Sequence, residues 1–317
     1  MTSATGASAR IRMKRETVYG TPPAGNYFNM PFTPPVSLGA EQPLIDDPLL
    51  GQGRDPIDPT KDAINVSGDI GVPIDLRYIG LWLTGLLGDP VSSDETTHHQ
   101  HIFKSGGNSL PSYAIEIAHP NLTKFFMHSG VMVNSLAINA QRAGQALATI
   151  GLIGQDETIG GATGAGTPQN LTLTRFSQFN IALKRNGSAL GAVLSAQLNY
   201  TNNLDPVGPI GNNGLIDAID PTVAALTGTL ETRFRDTTLL DDSIAGTPFE
   251  LDLEYSLSST QKLLLNVPRV FLSKPKVGVD GPGGINVSFA FQGAYDPTDQ
   301  TMLTATLLND LDGTQYE

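Results

Sequence analysis

Short runs in which apolar and polar residues alternate recur along the chain, separated by turns rich in glycine and proline. Alternation with a period of two is typical of β-strands that bury one face. The pattern predicts strands over Ala63–Ile70, Ser112–Ala118, Lys124–His128, Val131–Ile138, Ala146–Gln155, Ile181–Lys184, Ala189–Tyr200, Val223–Phe234, Phe249–Leu257, Gln261–Val267, Val270–Val277, Ile285–Ala294 and Met302–Leu308. The chain is therefore expected to be mainly β.

Two segments break the alternation and predict short helices. Leu76–Leu87 places its apolar residues at helical spacing, with Asp75 in position to cap the first turn and Gly88 to end the last. Thr237–Ala245 is the second predicted helix, and it is followed by Gly246. Each helix lies between two predicted strands.

An internal repeat relates two stretches of the chain. Val131–Glu157 aligns without a gap to Val270–Asp296, at a constant offset of 139 residues. Three pairs are identical, namely Val131/Val270, Gly144/Gly283 and Gly154/Gly293. Because any two β-hairpins look alike, these identities alone are weak evidence for a repeat. The order of the surrounding elements is the stronger evidence.

The order of elements extends the repeat outward. Ser67-Gly68 precedes the first helix and Thr227-Gly228 precedes the second, and an alternating run follows each helix. A repeated strand–helix–strand–strand–turn–strand order predicts a two-fold duplication. We place an extended arm at residues 1–62, one domain at 63–157, a linker at 158–175 and a second domain at 176–317.

The arm and the linker differ in composition. Residues 10–62 are dense in proline, which disfavours helix and central strand, yet they hold many large apolar residues. We expect this arm to pack on its own domain or on a neighbouring subunit. Residues 156–170 are polar and rich in glycine and predict a flexible link.

Composition excludes several classes of protein. The absence of cysteine excludes disulfides and Cys-based zinc sites. The net charge of −12 argues against a protein that grips nucleic acid, because gripping requires a basic face. Asp75 and Arg77 interrupt the longest apolar stretch, which is too short to span a bilayer. No membrane association is expected.

No catalytic arrangement is recognisable in the sequence. His98, His99 and His101 could hold a metal, but no further ligand has the usual spacing, and residues 89–109 are interpreted as a solvated polar loop. His119 and His128 lie near strands, outside any nucleophile–base pattern. The run 161–166 lacks the Gly-Lys-Ser/Thr ending of a phosphate loop. We expect no enzyme activity, catalytic residue, cofactor or metal.

An ordered set of segments resembles a known family. The segments are Glu16–Pro23, Leu38–Asp46, Gly51–Pro56, Val66–Ile70, Ala143–Gly154, Asp236–Asp241 and Val267–Lys276. In this order the chain is similar to the tail tube proteins of long, flexible-tailed phages. No single segment decides the resemblance, which covers nearly the whole chain.

The resemblance implies two tandem tail-tube-type domains, each a curved β-sandwich with a short flanking helix. Such domains join edge to edge, line a continuous inner barrel and stack as rings of six. With two domains in one chain, three subunits would form a pseudo-sixfold ring. The expected role is a structural conduit of acidic, non-sticking character, through which DNA passes into the host.

The resemblance also implies partners and a location. The chain is expected to contact copies of itself laterally and axially, a tape-measure protein in the lumen, and tail-end and head-proximal tail proteins. It would belong to the virion tail, after assembly in the host cytoplasm. Two alternatives stay open: a β-sandwich that recognises a receptor or glycan, and a metal-dependent enzyme built on the three clustered histidines.

Overall fold

The computed structural model describes residues 3–51, 53–279 and 281–316. These residues form 23 strands, two α-helices and four short 3-10 turns. The strands are β1 (Arg10–Arg15), β2 (Phe28–Met30), β3 (Thr33–Val36), β4 (Gly39–Glu41), β5 (Leu44–Ile45), β6 (Thr60–Lys61), β7 (Asn65–Pro73), β8 (Val91–Asp94), β9 (His99–Lys104), β10 (Tyr113–His119), β11 (Lys124–Gln141), β12 (Leu147–Gly154), β13 (Asp156–Gly160), β14 (Ile181–Arg185), β15 (Ser188–Ala189), β16 (Val193–Thr201), β17 (Asp205–Val207), β18 (Ala218–Asp220), β19 (Ala225–Arg233), β20 (Phe249–Ser258), β21 (Gln261–Leu272), β22 (Asn286–Gly293) and β23 (Thr304–Asn309).

The helices are α1 (Tyr78–Leu87) and α2 (Thr238–Ala245), and the 3-10 turns cover Gly6–Ser8, Pro120–Leu122, Gln178–Asn180 and Gly313–Gln315. Asp75 caps α1 as predicted, because its carboxylate accepts the backbone N–H groups of Arg77, Tyr78 and Ile79 at 2.9–3.0 Å. Gly88 ends α1 with φ 93°, which a residue with a Cβ rarely adopts.

Two long strands, β11 and β21, each belong to two parts of the sheet. The first part of β11 lies between β10 and β13, and its second part lies between β12 and β16. Likewise, β21 pairs with β20 on one edge and with β23 and then β22 on the other. Each of these long strands joins two layers, and a shared core of buried side chains from both layers and from α1 lies between them.

The two sets of strands around β11 and β21 have the same pairing order. We call β1, β3, β4, β7, α1 and β10–β13 the first unit, and β14, β16, β19, α2 and β20–β23 the second unit. In each unit the strand before the helix pairs with the last strand of the aligned repeat, β7 with β12 and β19 with β22. The first strand pairs with the strand after the helix, β1 with β10 and β14 with β20.

A β-bulge occurs at the same place in both units. Tyr113 pairs with Val131 before the ladder shifts, and Phe249 pairs with Val270 before an equivalent shift. The next pairs are Ile115 with His128 and Leu251 with Val267, so each ladder advances two residues in one strand and three in the other. Bulges bend a strand, so both units bend where β11 and β21 pass from one layer to the other.

The structure corrects several strand predictions. Lys124–His128 and Val131–Ile138 are parts of the single strand β11, which continues through Gly130 at φ 60°. Gln261–Val267 and Val270–Val277 likewise merge into β21, which ends earlier, at Leu272. In both places the strand continues through a bend, because strands of the second layer pair with it beyond that point.

Two predicted loops also contain strands. Residues 89–109, predicted to be a solvated loop, form the hairpin β8–β9, and β9 pairs with β23. The predicted flexible link of residues 156–170 begins with β13, and Ala165 further along is fully buried. Both predictions were wrong because a polar composition does not require exposure. The strands β8 and β13 lie at edges, which tolerate polar residues, and β9 turns His101 and Phe103 into the core.

The proline-rich arm divides into two parts. Its first part adds β1 and β2 beside β10, and β3 and β4 beside β7, all within the same chain. Pro34 and Pro35 lie in β3 between the paired residues Thr33 and Val36, where the ladder with β7 is interrupted and a missing N–H costs no ladder bond. In its second part, residues 42–51 and 53–62, the described residues form only the small β5–β6 pair.

Candidate assembly surfaces

One face of the central sheet is polar. Burial alternates along β16, β19 and β22, so that one side chain of every two enters the core and the other remains on the opposite face. We call that opposite face, continued across β7, β12 and the second part of β11, the polar sheet face. Its polar members and two alanines are Ser67, Asp69, Ser135, Ala137, Asn139, Gln141, Thr149, Ser195, Gln197, Asn199, Thr201, Thr227, Thr229, Glu231, Arg233, Asn286, Ser288, Ala290 and Gln292, and the apolar Leu147 and Ile153 of β12 lie on the same face.

Neutral amides and hydroxyls dominate the polar sheet face. One row across it joins Asn139, Gln197, Thr229 and Ala290 through successive strand pairs. Of the members named above, only Asp69, Glu231 and Arg233 are charged. Arg233 donates from Nη1 to the carbonyl of Gly284 at 2.5 Å and to Asn286 Oδ1 at 2.9 Å, so its guanidinium is already engaged.

The outer edge of β3 and β4 is open. Ser37 N donates to Asp69 O at 2.8 Å, so the backbone N–H of Ser37 points toward β7. Since alternate residues of an antiparallel strand face opposite neighbours, the N–H groups of Val36, Leu38 and Ala40 point away from β7. Ala40 N meets the carboxylate of Glu157 at 3.3 Å, and no further strand pairs with this edge in the part of the chain that is described.

Exposed apolar side chains mark the loop of residues 42–62, which we call the projecting loop. Leu44 is 64% exposed and Leu50 is 94% exposed. The sequence indicated that the arm packs on its own domain or on a neighbouring subunit, but the edge strands β3 and β4 within the arm were not predicted. The alternation of Val36, Leu38 and Ala40 was the available signal, and the neighbouring prolines masked it.

The three clustered histidines do not converge. His99 Nδ1 lies 2.7 Å from Asp94, whereas His101 is buried and its Nε2 lies 3.0 Å from the carbonyl of Leu311. Burial lowers the pKa of His101, which favours the neutral ring. Across the described ranges no group of three or more His, Asp or Glu side chains could hold a metal ion.

The other titratable contacts support the fold. His128 lies between the carbonyl of Ile115 and the carboxylate of Glu157, at 3.0 and 2.9 Å, and burial lowers its pKa. Glu16 accepts hydrogen bonds from Gly130 N at 2.9 Å and Ser112 Oγ at 2.7 Å, which holds the bend of β11. His119 lies edge-on to the ring of Phe126, with ring centroids 5.6 Å apart.

Comparison with protein families matches residues 6–293 to the family described as phage tail tube protein. The chain belongs to that family. The match spans most of the chain, and the mainly antiparallel β architecture agrees with it. A comparison with curated proteins finds no match.

Membership places this tail tube protein in the virion tail as a structural subunit that assembles into a tube. The two helices of the described chain are each too short to cross a membrane. The surfaces that matter for such a subunit are therefore those that meet other copies and those that face the tube's interior.

Proposed function

We propose that this tail tube protein is a double subunit, in which two related units within one chain each occupy one of six positions in a ring. Three copies then close the ring with pseudo-sixfold symmetry. The observation that supports this most strongly is the shared β-bulge, which joins Tyr113 and Val131 in one unit and Phe249 and Val270 in the other.

Glycine positions support the same equivalence. Gly68 lies beside Leu152 in the β7–β12 ladder, and Gly228 lies beside Phe291 in the β19–β22 ladder. A Cβ at Gly68 would lie 2.4 Å from Ser37 O, and one at Gly228 would lie 2.0 Å from Gln197 O. Both units thus place the backbone of an adjacent strand against a glycine at the equivalent position of the ladder. Unrelated hairpins would have no reason to share this close approach.

The polar sheet face is the surface we assign to the lumen. DNA adheres to proteins mainly through lysine and arginine, which displace counterions from its phosphates. A wall of amides and hydroxyls, with Asp69 and Glu231 as its acids, offers little for phosphate to bind. The wall is then non-sticking mainly because it is neutral, while the chain's net charge of −12 adds a weak repulsion.

A charge introduced on that face tests the assignment. Gln197→Lys should make assembled tubes retain DNA at low salt, while Ser259→Lys, in the exposed turn between β20 and β21, should leave retention at the wild-type level. Equal retention by both variants in a DNA co-sedimentation assay would contradict the assignment of this face to the lumen.

The role is structural and non-catalytic. In the proposed tail, the tape-measure protein occupies the lumen before DNA does, and tail-end and head-proximal proteins contact the terminal rings. Exposed loops on the two ring faces supply contacts between rings. Assembly takes place in the host cytoplasm, before DNA is delivered through the finished tube.

The mass of the assembled ring tests the proposal. Native mass spectrometry of isolated rings should give three subunits, or about 100 kDa from three chains of 33.5 kDa each. Electron microscopy of the same sample should show stacked rings with a central hole. Rings of six chains, or a protein that remains monomeric at high concentration, would contradict it.

A further inference from the structure

The joint between the two units inside the chain is visible in the structure. Residues 135–141 of β11 pair in antiparallel fashion with residues 195–201 of β16, with Ser135 opposite Thr201 and Ile138 opposite Leu198. Asn202 N donates to Asn134 O at 2.8 Å and extends this ladder. The joint therefore links the second strand layer of the first unit directly to the edge of the second unit.

The equivalent segments at the outer ends of the two units have no such partner among the described residues. The offset that takes Val131 to Val270 also takes Ser135 to Lys274, and residues 274–279 follow the end of β21 outside any strand. The offset that takes Gly68 to Gly228 takes Glu41 to Thr201, so β3 and β4 correspond to β16. Ser273 N donates to Ala290 O at 2.8 Å, so the pairing of β21 with β22 continues to Ser273, the residue before this segment.

We propose that residues 274–279 of one copy form a strand against residues 36–41 of the next copy, in an antiparallel register that places Lys274 opposite Glu41 and Val277 opposite Leu38. This inference rests on the proposed ring, and it names the lateral joint and its register. The partner is a second copy of this chain, because the β11–β16 joint is the template for the contact.

Charge and hydrophobicity fit this register. Lys274 and Glu41 are both exposed in the single chain and carry opposite charges. Val279, which is 74% exposed, falls opposite Val36, which is 38% exposed. Opposite charges and apolar pairs directly across a ladder are the combinations that stabilise antiparallel strands.

The hydrogen-bond pattern also fits, with one rung weakened. Leu38 directs its N–H outward and would exchange two backbone bonds with Val277. Pro275, opposite Ala40, has no N–H to donate, but its carbonyl can accept from Ala40 N in place of the present Glu157 carboxylate. The ladder therefore keeps acceptors for all the outward N–H groups of β3 and β4.

The projecting loop supplies an independent observation. It carries the pair β5–β6, and the corresponding loop of the second unit carries β17–β18, each between the edge strand and the strand before the helix. Leu204 of the second loop is 7% exposed and clusters with Met132 on the first unit, whereas Leu44, its counterpart, is 64% exposed. The repeat offset takes Met132 to Phe271, so we assign Phe271 of the next copy as the contact of Leu44.

Disulfide trapping tests the register, because the chain has no cysteine of its own. Glu41→Cys combined with Lys274→Cys places two thiols at a rung without backbone hydrogen bonds, where Cα atoms lie about 4.5 Å apart, within disulfide range. Oxidised rings of this variant should give a covalent ladder that ends at three chains on a non-reducing gel.

Two matched variants calibrate the result. Ser37→Cys with Lys274→Cys moves one thiol four residues along the same face, about 13 Å away, and should give no ladder. Ser135→Cys with Thr201→Cys bridges the internal joint, and should lose its free thiols on oxidation without forming a ladder.

The outcomes separate this inference from the proposed function. Rings that form but show no ladder for the Glu41/Lys274 pair, or an equal ladder for the Ser37/Lys274 pair, overturn the register and leave the tube assignment standing. A failure of the wild-type protein to form rings overturns the proposed ring, and the joint with it.

Discussion

The two helices hold equivalent places in the two units but have different surroundings. All ten residues of α1 are buried, whereas in α2 only Leu239 and Ser243 are. The end of the chain covers α1: Tyr316 Oη donates to Arg77 O at 2.9 Å, and the Arg77 guanidinium pairs with Asp310 at 2.7 Å. An element enclosed by its own chain in the first unit is therefore largely exposed in the second unit.

The largest contrast should appear when each helix loses a large apolar side chain. Trp82→Ala in α1 should destabilise the single chain by about 3–5 kcal/mol, because Trp82 is fully enclosed and its removal leaves a cavity. Ile244→Ala in α2, at a side chain 59% exposed, should cost less than about 0.5 kcal/mol. Urea denaturation measures both, and equal losses would contradict the comparison.

The paired glycines should behave alike in the two units. Gly68→Ala and Gly228→Ala should each cost about 3 kcal/mol, because each new Cβ overlaps a backbone carbonyl oxygen of the adjacent strand, and the φ of 151° at Gly68 adds strain at that position alone. The exposed Gly144→Ala has space for a Cβ, although its φ of 111° adds strain, so it should cost less. A large loss at only one of Gly68 and Gly228 would argue against their equivalence.

The cap of α1 should make the stability of the chain depend on pH. Burial raises the pKa of Asp75 from its ordinary 3.8 to about 6, against the opposing effect of three backbone N–H donors. The folded state therefore holds this proton more tightly than the unfolded state. Its contribution is complete below about pH 3.8 and is lost as the pH rises through 6, a change of about 3 kcal/mol.

Asp75→Asn removes that titration. The stability difference between wild type and Asp75→Asn should change between pH 4 and pH 7, with the wild type losing its relative advantage as the pH rises. A constant difference for Asp75→Asn would contradict the assignment.

The two loops should give the smallest contrast in the single chain and a clear one in assembly. Leu204→Ala should destabilise the chain by about 2 kcal/mol, because Leu204 is buried against the first unit. Leu44→Ala should alter the stability of the single chain by less than about 0.5 kcal/mol but raise the concentration needed for ring formation. Light scattering against concentration measures the second effect.

Much of the fold could be predicted from sequence because its strands alternate strongly. The two helices and the Asp75 cap were placed within a few residues, since local chemistry determines them. The edge strands β3, β4, β8 and β13 were missed, because prolines and polar residues are tolerated where only one neighbour is present. The shared bulge was also beyond prediction, since it depends on how two layers meet.

The assembly surfaces were predicted only in outline. The family resemblance implied an acidic, non-sticking conduit, but no sequence pattern showed that neutral side chains such as Asn139, Gln197 and Thr229 would share one sheet face. The exposure of Leu44 also required the structure, because Leu44 and Leu204 look alike in sequence and differ only in what lies beside them.

A reconstruction of the assembled tube at a resolution that separates strands tests the central claim most directly. The account predicts three chains per ring, with residues 274–279 of each chain continuing the sheet of its neighbour beside residues 36–41. A ring built from six chains, or a lateral contact made by other strands, would contradict it.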